Sequence, residues 1–369
     1  MEITLLDVEI DLVYQGIVIG TRPTRRRPDA TEVESSSHAE PGLTDCLPSA
    51  RLLSLLLLSV LLPLPELATT MLPPFFNPVT NPHTVCITGG LTGIGRAIAI
   101  GFLSHGANVC INYLPNHNSV DDETLINSLK EDALAAILAR HSTSTSTSTS
   151  TSTSSFNESE NPLFVPGDIS LPETGPELIS QCTTQFGRLD TFISNAGICQ
   201  FEEFLSVTAS TWQAHQAINL SGAFYAIQAA ARYMSTQPPL SSSSPSSTGS
   251  GSIIGISSIS ALVGGALQTH YTPTKAGLLS LTQSCAAALG KHNIRCNALL
   301  PGTIRSQLND EDLRDETKRK SVEARVALGR IGEGEDLVGP ALWLAVPELS
   351  GYVSGAAVLV DGGAFVNFQ

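Results

Sequence analysis

The run His83-Thr84-Val85-Cys86-Ile87-Thr88 constrains this chain more than any other stretch, because Gly89-Gly90-Leu91-Thr92-Gly93-Ile94-Gly95 follows it at once. The first six residues read as a strand. Arg96 to Ser104 then shows helical periodicity. A glycine turn in that context lets the backbone approach a phosphate closely. The helix N-terminus adds amide donors and a positive dipole end. Without the flanking strand and helix, such glycines would read as an ordinary structural turn.

The same alternation continues along the chain. Asn108 to Tyr113 reads as a second strand and Asp121 to Arg140 as a helix. Leu163-Phe164-Val165 leads to Asp168-Ile169, and Leu189 to Ser194 leads to Asn195-Ala196-Gly197. Ser252 to Ser257 and Ile294 to Leu300 are apolar runs of the kind buried in parallel sheets. Ala276 to Leu289 has helical spacing, and Ala356 to Val360 supplies a last strand.

Ser258 falls at the C-terminal end of its strand, where ligands bind in open α/β sheets. Tyr271 and Lys275 are four apart at the start of a helix, so they share a face. A phenol titrates near pKa ~10, and a base working near neutrality needs a shift worth roughly 4 kcal/mol. An ammonium ~4 Å away at an effective dielectric of ~20 supplies about that much. The pair is therefore expected to hold a tyrosinate that takes a hydroxyl proton, with Ser258 orienting the reacting oxygen. Taken alone, the spacing equally suits a buried tyrosine and a surface lysine.

Together, Thr88-Gly89-x-x-x-Gly93-x-Gly95, Ser258, Tyr271 and Lys275 resemble the short-chain dehydrogenase/reductase family over about residues 83–369. The resemblance implies a doubly wound, Rossmann-type α/β fold with a mainly parallel seven-stranded sheet, and assembly as a homotetramer. It implies NAD or NADP as cofactor, held by Gly89, Gly93, Ile94 and Gly95 at the pyrophosphate and by Asp168 and Ile169 at the adenine. Asn195 would lie along the cofactor, and Ile304, in Pro301-Gly302-Thr303-Ile304, over the carboxamide. Tyr113 stands where an acid would bind the ribose and reject a 2′-phosphate, and Thr92 and Leu114 are not basic, so the choice between NAD and NADP stays open. Tyr271 would be the base, and Lys275 would also hold the nicotinamide ribose. Asn219 would anchor a water in a proton relay to Lys275.

Within that family, the run from Gly251 to Gly277, with LPGTI and the C-terminal VDGGAFVNFQ, is similar to fungal L-rhamnose 1-dehydrogenases. Such enzymes oxidise a sugar's anomeric hydroxyl to a lactone. A sugar pocket needs polar groups, and Ser260 and Gln268 flank the catalytic pair closely enough to supply them. Two rival readings keep the same residues. One is an NADPH-dependent reductase of ketones or 3-oxoacyl thioesters, and the other a dinucleotide sensor without catalysis.

The formal charge of −14 makes nucleic acid a poor partner. Seven cysteines lie apart without a CxxC, and no His pattern has metal-ligand spacing, so no metal site is expected. The dispersed cysteines point to a reducing, cytoplasmic location. Residues 1–82 read as a disordered or misassigned leader ahead of the domain at 83–369. Its leucine run 52–62 is short of the ~20 residues that span a bilayer and is stopped by Pro63 and Pro65. The Ser/Thr-rich stretches 142–155 and 240–251 read as solvated insertions.

Overall fold

The computed structural model describes residues 83–117, 120–142, 162–238, 250–306, 309 and 313–367. The leader lies outside the described residues, as does most of each low-complexity stretch. Two boundaries differ from expectation: Ser142 closes a helix, and Gly251 opens a strand.

Seven strands form one sheet in the order β3-β2-β1-β4-β5-β6-β7. They are β1 Thr84–Ile87, β2 Asn108–Tyr113, β3 Leu163–Pro166, β4 Thr191–Ser194, β5 Gly251–Ile256, β6 Ile294–Pro301 and β7 Ala357–Val360. Every neighbouring pair is parallel, so the sheet is wholly rather than mainly so. The helices that cross between strands are α1 Gly93–Ser104, α2 Asp122–Ser142, α3 Thr174–Phe186, α4 Ala209–Gln216, α5 Ala223–Met234 and α6 Thr272–Leu289. After β6 come α7 Glu316–Glu323, α8 Val338–Ala345 and the short α9 Pro347–Ser350.

Strands in such a sheet are covered on both faces, which is why β1 and β4 are buried at every residue. One core cluster packs α1, α2 and α8 on one face, around Ile98, Phe102, Leu129 and Leu342. The other packs α3 and α5 on the opposite face, around Leu178, Cys182, Ile227 and Met234. β6 carries a buried arginine and asparagine, and both are tied down. Arg295 donates to the Leu344 carbonyl at 2.7 Å, and Asn297 accepts from Ala356 N–H at 3.0 Å and donates to the Val353 carbonyl at 2.9 Å. Each pairing spares the cost of a stranded polar group.

The order of strands reverses between β1 and β4, so their crossovers leave on opposite faces and a crevice opens at their C-terminal ends. All the remaining chemistry is at that edge.

Candidate active site

The glycine turn is built for close approach. Gly89 and Gly93 have φ of +63° and +55°, a region that glycine enters without penalty. A side chain on Gly89 would meet Ala196 Cα at 2.9 Å, and one on Gly95 would run into the Gly89 carbonyl and the Asn195 amide. α1 begins after Thr92, whose side chain caps nothing, and its first turn carries no acid. Its first amide donors thus point into the cleft unopposed by negative charge, which suits a pyrophosphate.

Thr88 and Asn195 lock this turn to the end of β4. The Thr88 hydroxyl accepts from the Asn195 and Ala196 N–H groups, both at 3.0 Å. The Asn195 side chain donates back to the carbonyls of Thr88 at 3.0 Å and Gly89 at 2.9 Å. One cleft of about 1550 Å³ then runs along the sheet edge. Tyr113, Asp168 and Ile169 line one end, and Ser258, Tyr271, Lys275 and Ile304 the other. Asp168 spends one oxygen on Ser170, accepting from its N–H at 2.9 Å and its hydroxyl at 2.8 Å, which fixes the carboxylate in a turn. The groups expected to hold a dinucleotide therefore fit one.

Ser258 caps the short 3₁₀ turn Ile259–Ala261 by accepting from Ser260 N–H at 3.0 Å. Its hydroxyl proton is left for the cleft and for Tyr271. Tyr271 stands immediately before α6, and Pro273 falls in the first turn, which needs no amide donor. Lys275, one turn on, is buried, and its ammonium donates to the Ile256 carbonyl at 2.9 Å.

A family model described as enoyl-(acyl carrier protein) reductase matches residues 133–364. An L-rhamnose-1-dehydrogenase of Scheffersomyces stipitis is 51% identical over 289 residues, covering 78% of this chain and 98% of that protein. An L-rhamnose 1-dehydrogenase (NAD(P)(+)) of Sphingomonas is 43% identical, covering 78% and 97%. Among solved structures, a short-chain type dehydrogenase/reductase from Mycobacterium marinum superposes with a TM-score of 0.61 at 28% identity, covering 76% and 95%. The chain belongs to the short-chain dehydrogenase/reductase family.

The electrostatics of this dehydrogenase/reductase depart from the expected tyrosinate. Burial pushes the Tyr271 phenol well above its ordinary value, nearby Cys199 adds to that, and the Ser258 hydrogen bond offsets part of it. Burial also draws Lys275 down to about 8. The lysine nitrogen lies 5.7 Å from the Tyr271 ring centre, and one of its protons is committed to the Ile256 carbonyl. The protein's own groups therefore keep the phenol protonated at neutral pH.

Asn219 lies on a helical segment, as expected. It falls in a π-helical turn, Ala217–Gly222, between α4 and α5. Its side chain accepts from Ile198 N–H at 2.8 Å and donates to the Ile198 carbonyl at 2.9 Å and to the Thr274 hydroxyl at 3.1 Å. The side chain thus holds the loop after β4 and ties it to the first turn of α6. Gly197 lies between Asn219 and Lys275, where a methyl group would sit 3.2 Å from the amide oxygen and 3.4 Å from the ammonium.

Ser260 and Gln268 both line the cleft, as the sugar reading requires. Gln268 donates to the Cys199 sulfur at 3.2 Å, a partner that sequence reasoning missed. Two further contacts stitch the same walls together: Glu202 N–H donates to the Leu267 carbonyl at 2.9 Å, and His270 bonds the Gln200 carbonyl at 3.1 Å. Thr317, Ser321 and Arg325, on α7 and just past it, add a polar wall to the cleft.

Proposed function

We propose that this enzyme oxidises the anomeric hydroxyl of a hexose, L-rhamnose, to the lactone with NAD+ or NADP+. The observation that carries the reading is the placement of Ser258, Tyr271 and Lys275 in one cleft with a glycine turn fit for a pyrophosphate, beside a polar wall of Ser260 and Gln268. The 51% identity to a protein named for that activity supports the substrate.

Tyr271 takes the proton of the C1 hydroxyl. A nicotinamide held at this end of the cleft by Tyr271, Lys275 and Ile304 would supply the hydride acceptor and, when oxidised, positive charge that favours the phenolate. Ser258 orients the reacting oxygen, its own hydroxyl being positioned by the hydrogen bond it accepts from Ser260 N–H. Asn219 acts as a positioning residue, fixing Ile198 and the first turn of α6.

A homotetramer belongs to the same reading and is supported by exposed Phe204, Leu205, Trp212 and Phe224. So does a reducing, cytoplasmic location, supported by six unpaired cysteines among the described residues. No described helix is long and apolar enough to cross a membrane. The catalytic unit we assign is 83–369.

The test is turnover with L-rhamnose and both cofactors, against a sugar panel and a 3-oxoacyl thioester with NADPH. L-rhamnose should give the highest kcat/KM. Gln268→Leu should raise its KM about tenfold, because a buried sugar hydroxyl left unpaired costs about 1–3 kcal/mol. Faster reduction of the thioester would overturn the sugar assignment while leaving the catalytic residues intact.

A further inference from the structure

Three cysteines that are far apart in sequence meet on the sheet face away from α1. Cys86 and Cys110 are direct partners in the register of β1 and β2. Cys182 comes down on them from α3. The three sulfurs lie within 4.8 Å of one another, and all three residues are fully buried. Their core cluster is otherwise apolar, built from residues such as Val165, Leu178, Leu189 and Phe192. No part of the oxidoreductase chemistry above uses them.

The donor set limits what such a site can hold. Three sulfurs with no imidazole or carboxylate select a soft, thiophilic centre. Bonds of about 2.3 Å to one pyramidal centre put sulfurs roughly 3.5 Å apart, so the three sulfurs must close in by about an ångström. Charge narrows the choice further. Three thiolates around a monovalent or divalent ion would leave net negative charge in an apolar core, at a cost of several kcal/mol. A trivalent centre leaves none.

We propose that Cys86, Cys110 and Cys182 form a trap for trivalent arsenic, which binds as a neutral trithiolate. The exchange is balanced without any oxidant. Arsenous acid carries three hydroxyl groups, and each As–O bond is replaced by an As–S bond. Each thiol proton leaves with a hydroxyl as water, giving three waters, and arsenic stays trivalent. Since the sulfurs are buried, loading requires local opening of α3 and should be slow and faster in mild denaturant.

The experiment treats the purified full-length chain with arsenite and reads intact mass and free thiols after denaturation. The expected adduct has gained one arsenic and lost three hydrogens, with three of the seven cysteines protected. Cys285→Ala should keep that adduct, and Cys182→Ala should lose it, leaving at most a two-thiol adduct that retains a hydroxyl on arsenic. Wild type without the three-thiol adduct would overturn the proposal. So would persistence of that adduct in Cys182→Ala, or a stoichiometric zinc ion bound to these cysteines in the purified protein. The wild-type reading stands even if a variant fails to fold.

Discussion

Replacing Lys275 with methionine separates the cost of burying this lysine from its use in catalysis. Burial lowers its pKa from an ordinary value of 10.5 to about 8. At pH 7 the native protein therefore carries the ammonium at a cost of about 3 kcal/mol relative to the unfolded chain. The sign follows from proton counts. Between about pH 8 and 10.5 the unfolded state binds more protons at this residue, so its contribution to stability rises with pH. From pH 7 to 9.5 that rise amounts to about 2 kcal/mol. Lys275→Met removes it. The variant also strands the Ile256 carbonyl, a loss of about 1–3 kcal/mol that does not depend on pH. The diagnostic is thus the difference in slope. Urea unfolding of both proteins at pH 7 and 9.5 should show wild type gaining about 2 kcal/mol on the variant. All other titrating groups are shared and cancel. Parallel pH profiles would show that the lysine is solvated in the native state and keeps its ordinary pKa. The reasoning about the catalytic pair would then fail.

Tyr271→Phe should keep the fold and cofactor binding but lose at least about 100-fold in kcat, read by steady-state turnover and fluorescence titration with NADH. Gly95→Ala should abolish measurable dinucleotide binding, because its methyl group would occupy the space of the Gly89 carbonyl and the Asn195 amide. Calorimetric titration with NAD+ and NADP+ checks this. Wild type should discriminate NAD+ from NADP+ by less than about 30-fold in kcat/KM, about 2 kcal/mol, since no charged side chain stands at Tyr113, Leu114 or Thr92. Tyr113→Asp should move the ratio toward NAD+.

The fold was legible because its signals are local. Most strands are short apolar runs followed within two residues by a glycine or serine, and the helix after the glycine turn declares itself by period. Ser258, Tyr271 and Lys275 were legible for the same reason, as they lie within one strand–turn–helix unit. What escaped depends on contacts between distant segments. The thiol cluster needs the register of β1 against β2 and the rotation of α3, neither of which spacing encodes. Asn219 was placed correctly on a helix, but its partners Ile198 and Thr274 lie on other elements. A Coulomb estimate from the Tyr271–Lys275 spacing leaves out desolvation, which raises the phenol and lowers the ammonium and needs the packed neighbours to be known.

The cross-bracing of Thr88 and Asn195 has a consequence for anyone redesigning this enzyme's redox partner. The glycine turn after β1 and the turn after β4 are held by four short hydrogen bonds as one block. An alteration on either side is transmitted to the other, so gains in affinity there would be repaid in misaligned hydride transfer. The rim formed by Leu114 and His117 is exposed and outside that bracing. Swaps of coenzyme preference belong at that rim, where the sequence can drift without disturbing the reaction centre.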